Sequence, residues 1–139
     1  MERGHAGVVF AQLSGSTFWL ALAKPKLMDE VIVFVTNAEN KQAIASVLPQ
    51  ANNQQMLKKL CDKRGDLRCY MEEPDHELVE ALIDRCPEFI AHLVAQGYSH
   101  TLQTGDVLLL PQRDLDNCVW HSVFTLGDTP GEALSFAVR

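Results

Sequence analysis

A chain of 139 residues with 12 Lys and Arg against 18 Asp and Glu carries a formal charge of −6, and its length sets one domain, 1–139, as the expectation. At 47% hydrophobic and 22% charged residues it matches ordinary globular usage, which argues against a disordered tail, a collagen-like repeat or a coiled coil. The acidic balance argues against nucleic-acid or membrane-surface partners, because phosphate contacts need clustered Lys and Arg. The basic cluster Lys58-Lys59 with Lys63-Arg64 is offset by Asp62 and Asp66.

No apolar run approaches the ~18 residues of a membrane helix, and Met1-Glu2-Arg3-Gly4 reads as no signal peptide. Cys61, Cys69, Cys86 and Cys118 form no C-x-x-C pair. Free thiols in a cytoplasmic protein are therefore expected.

In chain order, β-rich patterning predicts strands at 8–13 and 18–23 around the turn Ser14-Gly15-Ser16-Thr17, and a third over the β-branched run 31–35. Helices follow. One covers 38–48 and stops at Pro49, and one covers 52–61, with Gly65 marking a turn after it. Another begins at Pro74 and carries Leu78, Val79, Leu82, Ile83 and Cys86 at helical spacing. The last starts at Pro87 and ends at the C-cap candidate Gly97. Strands return at 99–103, 107–110, Val119–Leu126 and Ala133–Val138. Strands, helices, then strands predict a mainly β, α+β fold with a helical insertion at about 38–97.

If Gly127 to Gly131 closes a hairpin between the last two strands, Thr125 faces Ala133, Val123 faces Ser135 and His121 faces Ala137. One face then holds small residues around an imidazole and a hydroxyl. The other holds Trp120, Phe124, Leu126, Leu134, Phe136 and Val138, and by size and polarity it is the expected core. The small-residue face leaves room for a ligand, although a lone histidine there is more often a satisfied core residue.

Three stretches together resemble the Jumonji-C-like branch of the cupin superfamily: Phe10-Ala11-Gln12-Leu13-Ser14-Gly15-Ser16-Thr17-Phe18-Trp19; Cys86-Pro87-Glu88-Phe89 through Gly97-Tyr98 into Leu102-Gln103-Thr104-Gly105-Asp106-Val107-Leu108-Leu109-Leu110-Pro111; and Val119-Trp120-His121-Ser122-Val123. The resemblance implies a double-stranded β-helix, Fe(II) and 2-oxoglutarate as cofactors, and His121 as the distal metal ligand. The family's His-x-Asp pair falls near Glu2 and Gly4, with His5 close but out of register. Glu2 and His5 are thus the substitute metal ligands that the resemblance offers, and Asp114 and Asp116 are further carboxylates in reach of His121. The lysine that pairs with the 2-oxoglutarate carboxylate corresponds to Thr17. With Gln12 and Ser135, Thr17 makes up the cofactor-side positions.

Three readings follow. The chain is a pocket protein that binds a small molecule or a protein partner at a degenerate metal site, with no cofactor. Alternatively it is an active Fe(II)/2-oxoglutarate-dependent oxygenase, or an interaction module that uses its helices. His76-Glu77-Leu78-Val79-Glu80 lacks the second histidine of H-E-x-x-H. No Gly-rich phosphate loop or nucleophile elbow is present. A homodimer is expected from the strand at 8–13, whose edge would be left uncovered without upstream strands.

Overall fold

A computed structural model describes residues 7–111, 118–127 and 131–138, with the side chains of 136–138 outside the described set. The chain divides into two compact units, residues 1–24 with 98–139, and residues 25–97.

The first unit is built of strands β1 (Gly7–Gln12), β2 (Ser16–Ala23), β3 (Ser99–Leu102), β4 (Val107–Pro111), β5 (Val119–Leu126) and β6 (Ala133–Val138). They form two three-stranded antiparallel sheets, ordered β4-β1-β6 and β3-β2-β5. Each consecutive pair, β1–β2, β3–β4 and β5–β6, crosses from one sheet to the other, so the unit is three strand-turn-strand arches side by side.

The turns of these arches are joined at one end. Gln12 N–H donates to Asp106 O (2.9 Å) and Gly105 N–H to Gln12 O (2.8 Å), while Leu13 and Ser14 N–H both donate to Glu132 O (2.8 and 3.1 Å). Close packing here requires glycine. A Cβ on Gly131 would lie 2.1 Å from Ser14 O, and one on Gly15, which has φ +70°, would lie 2.7 Å from Gly131 Cα.

This topology corrects the expected hairpin. β5 pairs with β2, placing Ala21 opposite His121 and Trp19 opposite Val123, whereas β6 pairs with β1, placing Phe10 opposite Ser135. The middle arch gives both strands a backbone partner, which a two-stranded hairpin alone could not match. The reasoning behind the uncovered first strand is corrected too, since β1 lies at the centre of its sheet. Face parity survives the change of partner: His121, Val123 and Thr125 still share one side of β5, because side-chain direction alternates along the strand itself.

The core of this unit lies between the sheets. Trp19, Leu102 and Leu110 are buried there, with Phe10, Ala21, Leu108 and Val119 packed against them. Trp19 and Ala21 share the His121 side of their sheet, but its other side is buried as well. Leu20 is 0%, Leu22 4% and Ser122 8% exposed there, beside half-buried Trp120 and Phe124. The expected bulky core face thus holds along β2 and β5 and fails at Leu126 and Leu134, which are 41% and 55% exposed. Leu134 shares the outer side of its sheet with Val107 and Leu109, which are also exposed.

The second unit holds α1 (Lys24–Thr36), whose first residue belongs to the strand unit, then α2 (Lys41–Val47), α3 (Ala51–Asp62), α4 (Arg64–Glu72), α5 (Glu77–Arg85) and α6 (Pro87–Ala95). The strand expected at 31–35 is helical, so the helical segment starts well before residue 38. Leu27, Met28, Val31 and Phe34 are buried at helical spacing, and packing of that stripe overrides the β propensity of valine and isoleucine. Gly65 sits in the first turn of α4 instead of marking a turn after α3. Between α1 and α6, Phe34 and Phe89 lie 5.1 Å apart, and His92 Nε2 meets Glu30 Oε2 at 2.5 Å.

Candidate functional site

Between the sheets a chain of polar groups runs from the arch turn to the core. The Trp19 indole N–H donates to Thr17 Oγ1 at 2.8 Å, and the Thr17 hydroxyl donates to Gln12 Oε1 at 2.9 Å. Gln12 Nε2 donates to Ser14 O at 2.7 Å. Gln12 and Trp19 are each 2% exposed, so both need partners inside the protein. Thr17 is the hinge, accepting one bond and donating the other, which uses its hydroxyl proton.

The rings continue the line. Phe10 meets Trp19 edge-on, with centroids 4.6 Å apart at 68°, and the His121 imidazole lies 5.5 Å from Trp19 at 31°. His121 occupies the inner side of β5 by register with Ala21, yet it is exposed, as are Thr125 on the same strand and Ser135 on β6. Val123 is 41% exposed, whereas Leu102 and Leu110 on the opposite strands are 6% and 3% exposed. Leu102 and Leu110 thus fill the inter-sheet space on the β3–β4 side, where His100 opposite Trp19 is exposed, and the inner side chains of β5 are exposed along His121, Val123 and Thr125. The exposed imidazole and hydroxyls at the β5–β6 margin can meet a small molecule through hydrogen bonds, while the Trp19 indole behind them is covered.

Of the expected site residues, Gln12 and Thr17 are brought together, but they bond each other and the indole. Ser135 and His121 are exposed at the β5–β6 margin. Glu2, His5, Asp114 and Asp116 lie outside the described residues, as does the side chain of Ala137. Among the described residues, no three His, Cys, Asp or Glu side chains converge as metal ligands. Of the groups that the resemblance implies, the described set holds the His121 imidazole, and at the position of the expected cation it holds the neutral Thr17.

Trp19 is the site residue that sequence reasoning left among motif letters. Its signal was parity, since it alternates with Thr17 and Ala21 on the same strand face. The four cysteines are free thiols. Burial, then the Asp62 charge, pushes the Cys61 thiol up to about 12, and burial also raises Cys86 and the Tyr70 phenol. No helix among the described residues is long and apolar enough to cross a membrane. No family model, no curated protein and no solved structure matches the chain.

Proposed function

We infer that the strand unit is a cupin-like pocket of the Jumonji-C-like kind, which binds a small molecule between its sheets without turning over 2-oxoglutarate. The observation that carries this is the closed bond series Trp19–Thr17–Gln12 beneath an exposed His121. Two of the polar groups expected to face a co-substrate, Gln12 and Thr17, are spent on the fold, while Ser135 and the imidazole of His121 are exposed. Three antiparallel arches wound between two facing sheets support the cupin reading, since stacked windings of this kind are how double-sheet jelly rolls are made. The ligand is a small molecule with an apolar body beside Val123 and a hydrogen-bonding group for His121, both exposed at this margin. A cytoplasmic location belongs to the same proposal.

The test is anaerobic reconstitution with Fe(II), followed by 2-oxoglutarate and dioxygen, with succinate measured. The account expects no iron retained at one per chain and no succinate above background. One firmly held iron lost in His121→Ala, together with succinate formation, would overturn the account in favour of an active oxygenase.

A further inference from the structure

We propose that the β5–β6 margin of the strand unit is an interface between two copies of this chain, with β5 of one copy beside β5 of the other and β6 beside β6. Both sheets end at this margin: β5 closes one sheet order and β6 the other, so each has a backbone partner on one side only among the described strands. The inner side chains of β5 are exposed at His121, Val123 (41%) and Thr125, while across the unit Leu102 and Leu110 are buried, Leu108 is half-buried and His100 is exposed. Whatever covers the margin must supply two strands, one for each layer.

A second copy has what is required. A strand pairs antiparallel with itself about a two-fold axis, and an axis normal to the two layers serves β5 and β6 together. Such an interface is closed, whereas joining this margin to the β3–β4 margin of another copy would run on without end. Edge strands that stay monomeric are normally guarded by charge, proline or a bulge. The sequences VWHSVFTL of β5 and ALSFAV of β6 contain no Asp, Glu, Lys, Arg or Pro. A copy of the same margin therefore meets no opposing charge in spite of the chain's −6.

The size sets the strength. The eight residues of β5 run about 27 Å, and two layers about 10 Å apart give a footprint of roughly 500 Å² per copy with side chains included. A standard stable interface uses about 800 Å² per partner. The dimer should thus dissociate in the micromolar range. This inference rests on the strand edges and is independent of the pocket's ligand.

Sedimentation of the full chain from low micromolar to high-hundred-micromolar concentration should show monomer passing to dimer. Thr125→Lys, at an exposed position, should weaken association by about tenfold or more with an unchanged melting curve. Leu109→Lys, on the outer face of the other sheet, should leave association intact. Hydrogen exchange of the wild-type chain needs no variant and should show β5 and β6 amides gaining protection with concentration while β3 and β4 amides do not. A monomer throughout the range would overturn the proposal. So would a dimer that Thr125→Lys leaves intact, or one that only Leu109→Lys disrupts.

Discussion

Replacing Thr17 by valine separates a structural role for its hydroxyl from a cofactor-facing one. The shape is kept, but Trp19 Nε1 and Gln12 Oε1 each lose a partner, and both residues are 2% exposed. A buried polar group left unsatisfied costs about 1–3 kcal/mol. Thr17 itself is half-buried, so some water reaches the gap and the combined loss is about 2–3 kcal/mol. For a chain of this size 1 kcal/mol moves the midpoint by about 3 °C, so Thr17→Val should melt about 6–9 °C lower. Thr17→Ser keeps the hydroxyl and removes one methyl, costing less than about 0.8 kcal/mol. Urea unfolding followed by tryptophan fluorescence reads both variants, and the cost of Thr17→Val should shrink on a Gln12→Met background because the two residues share one bond. A Thr17→Val protein within about 0.5 kcal/mol of wild type would show that the bond series does not support the fold.

Gly131→Ala should destabilise by about 2–3 kcal/mol through backbone contact with Ser14, whereas Gly105→Ala, at φ +94° in open space, should cost about 1–2 kcal/mol in chemical denaturation. Because Cys61 holds its proton up to about 12 when folded and loses it earlier when unfolded, stability should fall as pH rises from the ordinary thiol range toward that value. Cys61→Ala should flatten this alkaline decline in pH-dependent urea titrations, and a slope equal to wild type would contradict the burial argument. Exposed Cys69 should react rapidly with a thiol reagent in the native protein while Cys61 and Cys86 react only on unfolding. Glu30→Gln and His92→Ala should each lower stability by about 1–3 kcal/mol, since their 2.5 Å contact is mostly buried, and the double variant should lose less than the two losses combined.

The strands from 99 onward were legible because Gly105, Pro111 and Gly127 bracket short β-rich runs, and the helices begun at Pro87 and stopped before Pro49 were legible for the same reason. α1 was hidden because Val31-Ile32-Val33-Phe34-Val35 shows β propensity locally, while its helical stripe starts outside that window at Leu27 and Met28. α4 was hidden because Gly65 costs a helix only about 1 kcal/mol, which neighbouring packing of Leu67 and Met71 offsets. Partner choice was the larger loss. Side-chain parity is local and placed His121 with Val123 and Thr125, but whether β5 turns back on β6 or crosses between layers depends on β1 and β2, about a hundred residues away. At the site, residue types suggested Gln12 and Thr17 as ligand groups. That their bonding capacity is used by Trp19 and Ser14 follows only from the three-dimensional arrangement.

The pocket claim is tested most directly by titrating small aromatic and heteroaromatic compounds into isotope-labelled protein while following the His121 ring and the Val123 methyl groups. The account predicts that some of these compounds produce saturable shifts at both positions, and that His121→Ala weakens the response without changing the fold. Shifts confined to residues 25–97, or none at His121 and Val123 at saturating concentration, would contradict it.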